Sequence, residues 1–68
     1  MIKYVTKRDG SQEEFNVGKI KQAVQFTCEG LDVNPLELEA RVNIILKNGI
    51  KTSTIMQNVI ESAIQLAS

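Results

Sequence analysis

Lys7, Arg8, Lys19 and Lys51 each stand at a point where this 68-residue chain is expected to bend or to start a helix. Lys7 and Arg8 precede an Asp-Gly pair, Lys19 lies just after Asn16, and Lys51 is followed by Thr52. Such a set has one obvious chemistry, the binding of an anion. Free N–H groups and the dipole at a helix N-terminus favour phosphate. Arginine can grip phosphate through two hydrogen bonds, and a threonine hydroxyl can add one more. Basic residues beside turns are more often simply solvated, so the spacing alone does not decide the matter.

The remaining composition narrows the field. Eight Lys plus Arg balance eight Asp plus Glu, for a formal net charge of zero. A nucleic-acid module of this size carries a basic excess, so neither nucleic acid nor an acidic membrane surface is the expected partner, and anion binding must be local. There is no histidine and one cysteine, Cys28. One thiol makes no internal disulfide and leaves a Cys/His zinc site without ligands, which suits a reducing cytoplasm. No apolar run approaches the ~18 residues of a membrane span, and no basic-then-apolar leader is visible.

Catalysis finds no constellation. Cys28 falls on a predicted buried helix face away from any cationic activator. Glu13 and Glu14 are neighbours on a predicted strand, so their side chains diverge. The chain by itself is expected to be non-catalytic.

The elements that must position the cations form an α+β pattern, a β-hairpin laid on a small helical bundle. Residues 2–16 read as the hairpin, with Ile2, Tyr4 and Thr6 on one face, Lys3, Val5 and Lys7 on the other, and Phe15 anchoring the return strand. Arg8-Asp9-Gly10-Ser11 carries the tight-turn signal. The first helix is predicted over residues 17–29, capped by Asn16, with Ile20, Ala23, Val24, Thr27 and Cys28 inward and Gly30 as its stop. The second is predicted over 35–48, with Asn34 as cap, Pro35 in the first turn, Glu37 at the capping-box spacing, and Val33 against Leu38. Leu38, Val42 and Ile45 form its inner face, flanked by Leu36, Ile44 and Leu46, and Gly49 ends it. The third is predicted over 53–67 with Thr52 as N-cap. Its apolar set, Ile55, Met56, Val59, Ile60, Ala63, Ile64, Leu66 and Ala67, is wider than one small neighbour requires. With no stop signal before Ser68, this width leads us to expect a further helix beyond the chain end, over the same face.

"VTKRDGSQEEFNVGKI" resembles the opening of the ATP-cone, the nucleotide-sensing domain at the front of many ribonucleotide reductases. "CEGLDVNPLELEARV" and "NGIKTSTIMQNVIESAIQLAS" are similar to later parts of that domain in the large subunit of class I, aerobic enzymes. The similarity runs along essentially the whole chain, and it turns the balance toward an anion site. It implies reversible binding of ATP or dATP as allosteric effector, with Mg possible alongside the phosphates and no cofactor in this segment. It implies that Lys7 and Arg8 contact phosphates with Thr52 assisting, that Val5 lines the site, and that Glu13, Asn16, Lys19 and Ile20 surround base and sugar. The implied partners are the rest of the reductase large subunit and its radical-generating small subunit.

Three departures stand out. Gly18 occupies a position where the family often has aspartate, Met56 one where close relatives often carry histidine, and the family's fourth helix, with its further basic residue, would lie beyond Ser68. Two rival readings remain at this point. One is the cone of a transcriptional repressor of reductase genes, which carries a four-cysteine zinc ribbon ahead of the cone. The other is a ligand-free helical interaction module whose interface is the wide face of the third helix, and separately a second copy of the chain is an expected partner at that face.

Overall fold

A computed structural model describes residues 2–67. The order is β1 (Tyr4–Thr6), β2 (Gln12–Glu14), α1 (Val17–Gly30), α2 (Pro35–Ile45) and α3 (Thr52–Ala67). The two strands pair antiparallel with Tyr4 opposite Glu14, Val5 opposite Glu13 and Thr6 opposite Gln12. This is the α+β hairpin-on-helices architecture expected from the sequence.

The hairpin turn is one residue longer than the bare Asp-Gly signal suggests. The Gly10 N–H donates to the Lys7 carbonyl at 3.0 Å and the Lys7 N–H to the Ser11 carbonyl at 2.8 Å. Arg8, Asp9 and Gly10 thus form a three-residue loop, with Gly10 at φ +87 supplying its left-handed position. The Asp9 carboxylate accepts from the Ser11 N–H at 2.9 Å and the Ser11 hydroxyl at 2.6 Å, which pins the loop.

Both asparagine caps form. Asn16 Oδ1 accepts from the Gly18 N–H at 2.8 Å and Asn34 Oδ1 from the Leu36 N–H at 2.9 Å. A Cβ at Gly18 would lie 3.0 Å from that Asn16 oxygen, so glycine leaves the cap room. Gly30 closes α1 from within instead of following it in a left-handed stop; positive φ among the glycines is confined to Gly10 and Gly49.

The larger correction is at α2, which ends at Ile45 and not at residue 48. The reason is tertiary. Leu46 turns extended, and the chain from Lys47 runs back alongside β1. The Gly49 N–H donates to the Tyr4 carbonyl at 3.1 Å, and the Thr6 N–H to the Ile50 carbonyl at 2.9 Å. Thr6 Oγ1 donates to the Gly49 carbonyl at 2.8 Å, and Thr6 and Lys51 form a parallel bridge. The segment acts as a third strand on the edge of β1 that β2 leaves free, and it buries Ile50. Lys51, not Thr52, then takes the cap position: its carbonyl accepts from Thr54 and Ile55, and Thr52 is the first helical residue.

The core gathers Val5, Ile20, Val24, Leu38, Val42, Ile50, Ile55, Val59 and Ala63. Phe15, Cys28, Val33 and Ile45 pack against it. Leu36 and Ile44 face outward. On α3 the expected apolar set divides: Ile55, Val59 and Ala63 are buried, while Met56, Ile60 and Ile64 are about half exposed at 45%, 51% and 56%. Met56 is therefore not a core residue.

Two glycines give opposite expectations. Gly49→Ala should destabilise the fold by ~1 kcal/mol or more, because φ +86 is costly for any residue with a Cβ. Gly30→Ala, with helical φ and nothing within 4 Å of the added carbon, should stabilise it by up to ~1 kcal/mol. Urea denaturation of the two variants checks both signs.

Candidate functional site

Where the hairpin meets the first turns of α1 and α3, the side chains leave a cleft of about 150 Å³. Val5 lines it from β1, Glu13 and Glu14 from β2, and Phe15 and Asn16 from the junction into α1. Lys19 and Ile20 contribute from α1, and Thr52, Ile55 and Met56 from α3. The walls are mainly apolar, with Glu13, Glu14, Asn16, Lys19 and Thr52 as polar groups.

Register explains the composition. Residues directly opposite in an antiparallel pair share a face, so Glu13 projects on the same side as the buried Val5. Phe15, two positions on, returns to that side. Asn16 caps α1, so Lys19 and Ile20 fall one turn inside it. Thr52, Ile55 and Met56 stand three and four apart on α3 and share a face.

Of the residues marked in the sequence, Val5, Glu13, Asn16, Lys19, Ile20 and Thr52 come together here. Lys7 reaches the same place through Glu13, its Nζ 3.7 Å from Oε2. Lys19 Nζ lies 3.0 Å from Glu13 Oε1, within hydrogen-bond distance. Arg8 is exposed in the hairpin loop and does not line the cleft. Lys51 does not converge with the others; it lines a separate depression between α2 and α3 with Ile44 and Lys47. Phe15 and Ile55 are wall residues that the polar pattern of the sequence does not mark, while Met56, which stands where close relatives often carry histidine, does line the cleft. The alternation from Glu13 to Phe15 and the helical spacing from Thr52 were the signals for them.

Electrostatics follow from these contacts. The hydrogen bond and charge of Lys19, with a smaller contribution from Lys7, hold the Glu13 carboxyl below its ordinary 4.5. The Ser11 hydroxyl and N–H hold Asp9 below 3.8. Among the described residues no cluster of three or more His, Cys, Asp or Glu side chains is placed to hold a metal ion, and no helix is long and apolar enough to cross a membrane.

The family model of the ATP cone domain matches residues 3–68. The chain belongs to the ATP-cone family. It is 42% identical over 64 residues to the ribonucleoside-diphosphate reductase subunit alpha of Synechocystis sp., a match covering 94% of this chain and 8% of that protein. It is 43% identical over 65 residues to the subunit alpha of Haemophilus influenzae, covering 94% of this chain and 9% of the relative. The same identity over 65 residues holds for ribonucleoside-diphosphate reductase 1 subunit alpha of Escherichia coli, covering 94% and 8%. This ATP-cone chain thus spans under a tenth of the length of these curated relatives.

The depressed carboxyls make the cone's stability pH-dependent. A group whose folded pKa lies below its unfolded value stabilises fully above the unfolded value and loses that contribution as pH falls through the folded one. Asp9→Ala should therefore melt below wild type at neutral pH. The gap should close as pH drops through and below 3.8, the ordinary value for Asp9, which thermal melts across that range will read directly.

Proposed function

We propose that this chain is an allosteric module that binds ATP or dATP reversibly and sets the overall activity of a ribonucleotide reductase in deoxyribonucleotide synthesis. The observation that carries this reading is the cleft itself. It gathers, from β1, β2, α1 and α3, Val5, Glu13, Asn16, Lys19, Ile20 and Thr52, six of the eight residues that the resemblance assigns to the nucleotide. Its character also suits the ligand. Apolar walls with a few convergent polar groups are what small-molecule sites present.

Size assigns the parts. Whole-ligand pockets run to about 300–1,000 Å³, so a cleft of about 150 Å³ takes the base and part of the sugar. Ile20, Phe15 and Met56 offer apolar surface to the ring, Asn16 and Glu13 offer hydrogen bonds to base and sugar, and Lys19, joined to Lys7 through Glu13, stands between the sugar and the phosphates. The triphosphate then lies toward Lys7, the Arg8 loop and the N-terminus of α3, where Thr52 supplies a hydroxyl. Mg²⁺ would travel on the phosphates, because Glu13 is already engaged by two lysines. A segment following residue 68, or a second copy of the chain, would pack on the row of Met56 and Ile60 and wall the cleft on that side. The wider partners on this reading are the remainder of the reductase large subunit and its radical-generating small subunit, in the cytoplasm.

The relatives described above are reductase alpha subunits, which supports the reductase reading over the repressor one. Lys7→Ala and Arg8→Ala should each weaken ATP and dATP together, by ~1.5–3 kcal/mol for a lost charged hydrogen bond. Calorimetric titration of both variants is the test; wild-type affinity in both would remove the phosphate assignment.

A further inference from the structure

Lys7 and Lys19 come from different elements, the end of β1 and the first turn of α1, and one carboxylate holds both. Glu13 Oε1 lies 3.0 Å from Lys19 Nζ and Oε2 lies 3.7 Å from Lys7 Nζ. Neither lysine makes another ion pair among the described residues. Glu13 stands opposite the buried Val5 in the strand pair, so its side chain leaves β2 on the cleft side. A two-oxygen anion shared by two ammonium groups is also how a phosphate would sit between them.

We propose that Glu13 competes with the ligand's phosphates for Lys7 and Lys19, and so sets how tightly the cleft holds a polyanion. The inference rests on the reading that the cleft takes a nucleotide. A phosphate oxygen that reaches either lysine must share it with Glu13 or displace it, and sharing brings two negative charges together. Glu13 remains ionised at neutral pH, so the competitor is always present. Its grip is graded. Lys7, at 3.7 Å, lies beyond hydrogen-bond reach and is given up first; Lys19, at 3.0 Å, is held more firmly. Both pairs are solvent-exposed, with about half of the Lys7 and two-thirds of the Lys19 side chain accessible (50% and 66%), and exposed pairs are weak. The carboxylate therefore weakens anion binding without abolishing it, which suits a sensor that must release its ligand.

The test compares wild type with Glu13→Gln, using inorganic tripolyphosphate, adenosine and ATP as separate probes in calorimetry. Tripolyphosphate should bind the variant about three- to tenfold more tightly, the scale of one or two released surface ion pairs. Adenosine, lacking phosphate, should gain nothing. Unchanged or weaker tripolyphosphate binding by Glu13→Gln overturns the competition, because the carboxylate would then be idle or would be holding the lysines in place for the ligand. Should the variant fail to fold, the carboxyl ¹³C resonance of Glu13 in the wild-type chain gives the answer. It should move on adding tripolyphosphate as the lysines depart, and a resonance that stays put overturns the proposal. The two readings fail separately. Wild type that binds ATP while Glu13→Gln gains nothing for tripolyphosphate leaves the nucleotide site standing and removes the competition. Wild type that binds tripolyphosphate but not ATP removes the nucleotide site, while the same variant comparison still decides the competition. Binding of neither probe by either protein removes both.

Discussion

The pairing of Gly49, Ile50 and Lys51 with β1 is the contact on which the rest of this small fold depends. A two-stranded hairpin is marginal alone, and among the described residues this segment and the Asn16 junction carry the backbone pairing that ties the helices to it. By docking on Tyr4 and Thr6, the segment fixes where α3 begins. The first turn of α3 then faces the end of β1, and Val5 and Ile50 close the core above Ile55 and Val59. The cleft is a by-product of that closure. It lies where hairpin, α1 and α3 meet and cannot fill the space between them completely.

The same pairing explains the shape of the surface. Because the chain must leave α2 at Ile45 to reach β1, α2 is short and presents only Leu38 and Val42 fully to the core. One side of α3 is covered by α1, α2 and the hairpin, and the side carrying Met56 and Ile60 is left half exposed. Met56 belongs to both regions, as a wall of the cleft and as the first residue of the exposed row. On the proposed reading, a partner seated on Met56 would also stand beside a nucleotide in the cleft. Such a shared residue gives a physical route by which occupancy and assembly can be linked, since a ligand shifts an equilibrium only through differential contacts.

Local chemistry was legible in the sequence, and non-local chemistry was not. Asn16 and Asn34 announce their helices because capping depends on residues close in the chain, and the inner faces of α1 and α2 follow from helical periodicity. The strand-like run through Gly49 to Lys51 has no alternating pattern; it is made by pairing with residues more than forty positions away (|i−j| of 43 for the Thr6–Gly49 bond). Without it, α2 reads as continuing to Gly49, and Lys51 reads as a neighbour of Lys7. Periodicity also cannot separate Met56 and Ile60 from Ile55 and Val59, since all fit a broad stripe and only packing shows which side is covered. For the cleft, the resemblance supplied the polar residues and Val5 and Ile20, while Phe15 and Ile55 emerged only once register and helix phase were fixed.

The central claim is that one cleft, at the junction of hairpin, α1 and α3, receives the nucleotide. Amide chemical-shift mapping of the chain during an ATP titration tests it most directly. The account predicts that the largest shifts fall on Val5 to Lys7, Glu13 to Ile20 and Thr52 to Met56, with the outward face around Phe26, Leu36 and Ile44 unmoved. Shifts centred on the depression between α2 and α3, at Lys47 and Lys51, or no saturable shifts anywhere, would contradict it.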